Sequence, residues 1–220
     1  MDRRRMLTTL LAGSAATPLA LDQLVREALA RDSRTGLRGF RGTVSINGAP
    51  ARFDMEIRPG DTIRTGPGSE AVYVLGRDAF LQRGESHVAF GSGTAADLMR
   101  VITGKLLSVF ARGQRRIGTP AATIGIRGTG CYIEAAQDRT YFCLCYGEAD
   151  IMRNSDFSQR ETIRTRHHDK PMWLSDEPGQ NMMTAAGVMN HTDAELTLIE
   201  GLVGRKPPFA DAGWPPYQGY

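Results

Sequence analysis

The chain has 220 residues, 41% of them hydrophobic and 23% charged, with a formal net charge of +3. That length supports one substantial core with at most a small appended lobe, and near-balanced charge gives no reason to expect nucleic acid or another polyanion as partner. Three cysteines and four histidines are present, so thiol or imidazole chemistry has few places to sit.

The start of the chain is a processing signal. Asp2-Arg3-Arg4-Arg5-Met6-Leu7 is a charged segment, and residues 6–21 form a short apolar run interrupted by Gly13 and Pro18. It is too short for a membrane span of about 20 apolar residues, and no other run is long enough. The paired arginines before Met-Leu resemble a twin-arginine export signal. Residues 1–30 are therefore expected to be a signal peptide, and the remainder a periplasmic protein with no membrane span after cleavage. Ala28-Leu29-Ala30 is an acceptable cleavage site and Pro18-Leu19-Ala20 competes with it. The alternative is a basic start followed by an amphipathic helix over 21–30.

Residues 31–41 are polar with Gly36 and Gly39, and are expected to be a linker. Residues 42–47 and 51–57 alternate apolar and polar around Asn47-Gly48, a preferred hairpin turn. Short strands are expected over 61–65, 70–75, 79–82 and 87–90, separated by turns at Pro59-Gly60-Asp61, 66–69, 76–78 and 84–86. Thr94 is placed to cap a short helix through Ile102, a strand follows over 106–110, and Arg112, Arg115 and Arg116 make a basic turn. The stretch 116–151 is the centre of the framework. Residues 122–126 and 131–135 form strands on either side of an Arg-Gly-Thr corner, where Gly125, Gly128 and Gly130 supply backbone freedom. Gln137-Asp138-Arg139 then turns into a strong strand over 140–146.

After Ile151 the composition changes. An edge strand is expected over 162–165, a turn at residues 167–171, an apolar Met172-Trp173-Leu174, and a Met- and Ala-rich helix over 181–189. Thr192-Asp193-Ala194-Glu195 spells a capping box, opening a helix over 193–203 with Leu196, Ile199, Leu202 and Val203 on one face. Gly204 and Pro207-Pro208 end it. The expected plan is a signal peptide (1–30), a linker (31–41), a β domain (42–153), a C-terminal extension (154–204) and a Pro/aromatic tail (205–220) mobile beyond Pro208. The fold class is mainly β, a sandwich- or solenoid-like array of short strands with a small helical C-terminal extension.

Two segments carry a resemblance. Arg58-Pro59-Gly60-Asp61-Thr62-Ile63-Arg64-Thr65-Gly66, followed by Ser69, Ala71 and Val74, resembles the first hallmark of the FecR-type domain. Thr119-Pro120-Ala121-Ala122-Thr123-Ile124-Gly125-Ile126-Arg127-Gly128-Thr129 is similar to its second, and residues 141–151 to its closing strand. The resemblance covers about half the chain and implies an all-β periplasmic domain with a binding or signalling role, no active site and no cofactor. Regulators of that family carry a sigma-regulating helical domain and a membrane span before the β domain, where this sequence shows a signal peptide. The expectation is thus a stand-alone exported binding or scaffold module, not an enzyme, acting in envelope signalling on an unidentified envelope protein or polymer. Pro59, Gly60, Asp61, Gly66, Thr119, Pro120, Arg127, Gly128 and Thr129 carry over as fold positions. The alternatives are a regulator of a sigma-factor pathway and a metal-dependent protein or enzyme using Cys and His ligands.

Cys143 and Cys145 lie two apart on one strand and share a face. If a connection of three or five residues joins the hairpin, Cys131 lies on that face too. A disulfide from Cys131 to Cys143 or Cys145 is then expected in an oxidising compartment, with one thiol left over. The other readings are three buried free thiols and a metal site made with a histidine, for which Cys-x-Cys lacks a matching second pair. No metal ligand is assigned. His167 and His168 are neighbours, so in an extended segment they point oppositely. In the polar cluster of His167, His168 and His191, His168 with Asp169 and His191 with Asp193 could assemble a mononuclear site, and the other reading is solvated or helix-capping histidines. Asp54 and Glu56 are expected to be exposed strand residues, and no nucleophile elbow or phosphate loop is present. The basic run Arg160, Arg164, Arg166, His167, His168 and Lys170 is either a solvated rim or a surface for an anionic envelope polymer.

Overall fold

A computed structural model of the chain describes Gln23, Leu24, Ala28 and residues 35–213. Fourteen strands in this region belong to one sheet that does not close on itself, and one α-helix lies near its C-terminal end. The chain is mainly β with a small helical C-terminal extension, as expected. Strands β1 (Gly36–Arg41), β2 (Val44–Ile46), β3 (Ala49–Pro50), β4 (Thr62–Thr65), β5 (Glu70–Leu75), β6 (Asp78–Gln82) and β7 (Ser86–Phe90) are short. β8 (Leu98–Val109), β10 (Ala122–Ala135) and β11 (Thr140–Arg153) run 12 to 14 residues and carry the remaining pairings. β9 (Gln114–Gly118), β12 (Arg160–Thr165), β13 (Met172–Leu174), β14 (Met183–Ala185) and helix α1 (Asp193–Gly201) complete the described elements.

The long strands are buried on both faces, which divides the interior into two cores. Leu106, Cys131, Ile133, Phe142 and Leu144 point into an inner core shared with β1, β2, β4, β5, β7, β9, β12 and β13. Their sequence neighbours Leu107, Tyr132, Tyr141, Cys143 and Cys145 point to the outer face, where Leu196, Ile199 and Phe209 cover them. A period of two along each strand produces this split. Both faces are apolar because both are roofed.

Local chemistry explains the turns that were expected. Asn47 and Gly48 have φ of 52° and 81°, the left-handed pair that a tight hairpin needs. Asp61 holds this hairpin: its carboxylate accepts from Arg58 N at 2.8 Å and Asn47 Nδ2 at 2.7 Å, while Asn47 Oδ1 accepts from Thr62 N. Thr119 Oγ1 accepts from Ala122 N and donates to Ala122 O, closing the turn into β10. The Arg-Gly-Thr corner is a bulge inside one continuous strand, with the β10–β11 register shifting between Arg127 and Cys131. Gly128 sits there at φ 60°, and a Cβ on Gly130 would lie 2.4 Å from the Tyr146 ring.

Several expectations are corrected. Residues 36–41 are strand β1, paired with β5, and not linker. Residues 51–57, including Asp54 and Glu56, form turns and coil after the two-residue β3. The helix expected over 94–102 is a 3-10 turn at Gly93–Ala95 followed by β8, because Met99 and Val101 are buried against β7 while Ile102 faces out. Arg115 and Arg116 lie in β9, where β9 pairs with both β8 and β10. The helix expected over 181–189 is strand β14 and an extended run pinned by Tyr141 Oη donating to Gly187 O at 2.9 Å. Pro207 and Phe209 are buried, so the tail is held at least that far. Residues 214–220 lie outside the described residues.

Helix α1 begins with the capping box read from sequence. Thr192 Oγ1 accepts from Glu195 N at 3.2 Å, and Glu195 Oε2 accepts from Thr192 N at 2.9 Å. Nine residues are too few for a helix to persist alone in water, and α1 docks on β6 and β8. Leu196 and Ile199 are fully buried there, each contributing about 1.5–3 kcal/mol of transfer free energy. Leu202 and Val203, expected inside the helix, lie in the turn after it and are half-buried.

Residues 1–22 of the expected signal lie outside the described residues, but the segment after them is informative. Gln23, Leu24 and Ala28 are helical, and Leu24 and Ala28 are buried in the outer core. Ala28 O accepts from the buried Arg38 guanidinium at 3.0 Å. A chain without residues 21–30 would lack this packing. A chain beginning at Leu21 should melt above one beginning at Arg31 by roughly 5–10 °C, as loss of a buried leucine and its neighbour implies. Equal melting temperatures would show that the segment is dispensable.

Candidate functional site

The structure brings four of the predicted residues into one buried cluster on the outer face. Cys143, Cys145, His168 and His191 place their ligand-type atoms within 4.8 Å of one another. Strand β11 supplies both thiols. His168 arrives from the loop after β12, which is tied to the same strand: Thr165 Oγ1 donates to Leu144 O at 2.7 Å and His168 N to Cys145 O at 3.0 Å. His191 comes from the loop that caps α1, its ring stacked on Tyr132 with centroids 4.6 Å apart. Phe209 covers the other side, 4.7 Å from the His167 ring and 6.2 Å from the His168 ring.

The contacts inside the cluster are short. Cys143 Sγ lies 3.4 Å from His168 Nδ1, and His191 Nε2 lies 3.1 Å from the same nitrogen. The outward nitrogens are also held: His168 Nε2 lies 3.0 Å from Asp193 Oδ1, and His191 Nδ1 lies 2.7 Å from Met189 O. His167 joins at the edge, its Nε2 2.8 Å from Asp193 Oδ2. The two adjacent histidines thus converge on one carboxylate, contrary to the extended-segment expectation. The reason is local: His168 has φ 53°, so the segment turns instead of alternating. Asp169 stays outside the cluster and accepts from Arg166 N at 2.7 Å in that turn.

These contacts set the electrostatics. The Cys145 thiol, followed by the His168 and His191 imidazoles, hydrogen-bonds Cys143 and holds it well below the ordinary thiol range, against the opposing effect of burial. Burial pushes Cys145 up, as does the hydrogen bond it makes with Cys143. Burial pulls His168 down, but Cys143 and Asp193 outweigh it and leave the imidazole raised.

The expected disulfide is absent. All three cysteines are free and buried. The hairpin connection between Ala135 and Thr140 has four residues, not three or five, so Cys131 pairs with Leu144 and Tyr132 with Cys143. Cys131 therefore lies in the inner core and Cys143 and Cys145 in the outer one, on opposite faces of the sheet.

Cys143, His168 and Asp193 are ordered as a thiol–imidazole–carboxylate relay, the geometry of an activated nucleophile. Burial argues against that use: Cys143 is 0% and His168 6% exposed, and Tyr132 and Phe209 flank the rings. The open grooves described elsewhere on the molecule include no residue of the cluster. Asp193, expected beside His191, instead orients both His167 and His168 from the first position of the capped helix.

The fold-motif residues are not brought to this site. Pro59, Gly60, Asp61 and Gly66 form turns around β4, and Thr119 and Pro120 the turn into β10. Thr129 is fully buried in the bulge, and Arg127 is exposed just before it.

No protein-family model matches the chain, and no curated protein matches it. Two crystal structures of a "putative anti-sigma factor" from Parabacteroides distasonis ATCC 8503 are similar in part, with TM-scores of 0.46 and 0.45 and 11% identity. Each alignment covers 56% of this chain and 59% of that one, so the chain spans less than two thirds of those proteins. Likeness at this level carries no argument about function.

The native protein should resist alkylation at all three cysteines near neutral pH, and denaturation without reductant should release three reactive thiols per chain. Fast labelling of Cys143 alone in the folded protein would identify an accessible nucleophile, and one thiol per chain would restore the disulfide.

Proposed function

We propose that the chain is a non-catalytic, exported binding or scaffold module of the FecR type. The support for the family is the pair of hallmark segments, whose residues occupy turns and a bulge and stabilise an antiparallel framework. No helix among the described residues is long and apolar enough to cross a membrane.

The observation that carries a binding role is a groove of about 520 Å³ across β9, β10, β11 and β12. Arg115, Arg116, Arg127 and Arg160 line it together with Asp150 and Glu161. Arg115 is paired with Asp78 and Arg116 with Asp97, whereas Arg127 and Arg160 are exposed. Planar guanidinium groups at the rim of an open groove suit carboxylate or phosphate groups on a protein segment or envelope polymer. Two tests apply. Immobilised full-length protein should retain an envelope component that the Arg127→Glu/Arg160→Glu variant, melting at the same temperature, does not. Equal retention by both would remove the groove from the account. For export, Arg3→Lys with Arg4→Lys should leave unprocessed precursor inside the cell, and normal accumulation of processed protein outside it would exclude the twin-arginine route.

A further inference from the structure

We propose that Cys143, Cys145, His168 and His191 form a closed zinc site that fastens the C-terminal extension to the β framework. The donor set is two sulfurs and two imidazole nitrogens, the composition of a structural tetrahedral centre. Zinc bonds of about 2.3 Å to sulfur and 2.0–2.1 Å to nitrogen give tetrahedral edges of about 3.3 Å between nitrogens, 3.6 Å between nitrogen and sulfur, and 3.8 Å between sulfurs. The observed 3.1 Å between His168 Nδ1 and His191 Nε2, and 3.4 Å between Cys143 Sγ and His168 Nδ1, lie close to those edges.

The outer partners select the same atoms. A carbonyl oxygen only accepts, so His191 Nδ1 must carry the hydrogen it gives to Met189 O, leaving a lone pair on Nε2. Asp193 takes the hydrogen of His168 Nε2 in the same way, so loss of the Nδ1 proton on metal binding leaves the lone pair on Nδ1. Both lone pairs then face the centre of the cluster beside two sulfurs, and a cation between them resolves the juxtaposition. A carboxylate or carbonyl behind each imidazole is the outer arrangement that fixes tautomer and ring orientation in metal sites. His167, bonded to the same Asp193, braces that carboxylate.

Charge and burial agree. Binding of the ion releases two protons to solvent, one from Cys145 and one from the Cys143–His168 pair, and two thiolates neutralise its double positive charge. The resulting neutral centre can remain buried where an isolated charge could not. With four protein ligands, all buried, no position stays open for water or substrate, so the site is structural and not catalytic. Two thiolates exclude magnesium and calcium, which take oxygen ligands. The ligands come from β11, from the loop after β12 and from the loop before α1. One ion therefore joins the central hairpin to two separate points of the extension.

The test uses the full-length protein, stripped with a chelator under reducing conditions and then given zinc. It should take up one equivalent per chain and melt higher by roughly 5–15 °C with zinc in large excess over its dissociation constant, with no response to magnesium. Cobalt in place of zinc should give thiolate charge-transfer absorption together with the intense visible bands of a tetrahedral ion. Cys143→Ser with Cys145→Ser should lose both the equivalent of metal and the charge-transfer band. Because that variant could fail to fold, Cys131→Ser serves as the control: it removes an equally buried thiol from the inner core and should keep one equivalent. A folded natural protein that takes up no zinc overturns the proposal. So does zinc uptake undiminished in the double variant, or a cobalt spectrum without thiolate bands.

Discussion

The register of β10 against β11 is the constraint on which the rest depends. Four residues connect Ala135 to Thr140, and that even number places Tyr132 opposite Cys143 and Cys131 opposite Leu144. A slip of one residue would exchange the two faces of a strand, sending Cys143 and Cys145 inward and Phe142 and Leu144 outward. The bulge at Gly128–Gly130 switches the alternation along β10, so that Ile124 and Ile126 before it and Cys131 and Ile133 after it all reach the inner core. From this single pairing come the inner core, the outer core and the position of both thiols.

The C-terminal extension is a roof over the outer face and not an appended lobe. Its polar anchors are specific. Arg83 on the loop after β6 meets Glu195 of α1 at 2.7 Å, and Glu200 receives the Tyr146 hydroxyl and the Arg205 guanidinium. Arg205 also donates to Arg77 O, so the chain after the helix is stapled back to the β5–β6 turn. The buried Arg153, at the end of β11, donates to Gln159 Oε1, Glu177 O and Gln180 O and so gathers two loops of the extension. Removing a guanidinium of this kind would strand several carbonyl groups at once, which costs more than the bonds themselves contribute. Arg83 is half-buried and Glu195 buried, so removing the guanidinium would leave a buried carboxylate without its cation.

Much of the framework was legible from local chemistry, and the failures have a common cause. Residues 70–75 and the Asn47-Gly48 hairpin carry strong strand and turn signals and form as read. The Thr192 capping box is likewise a contract among four neighbouring residues that needs nothing distant. Residues 98–102 and 181–189 contain patterns that suit a helix, yet sheet pairing with distant strands overrides them. The candidate site was half legible. A Cys-x-Cys on a strand announces two thiols on one face, and the two histidine clusters were visible. Their union depended on a positive φ at His168 and on where β12 leaves β11, both set by long-range pairing. The disulfide expectation failed on the length of one turn, which a period-two argument can resolve only when that length is known.

In the zinc site proposed above, the outer face of β11 and the extension share a metal-centred junction of two thiols and two imidazoles. X-ray absorption at the zinc edge of the reconstituted full-length protein reads these ligands themselves. The predicted first shell has two sulfurs at about 2.3 Å and two nitrogens at about 2.0–2.1 Å, with the outer-shell scattering of two imidazole rings. A first shell made only of oxygen and nitrogen, or one with a single sulfur, would contradict it.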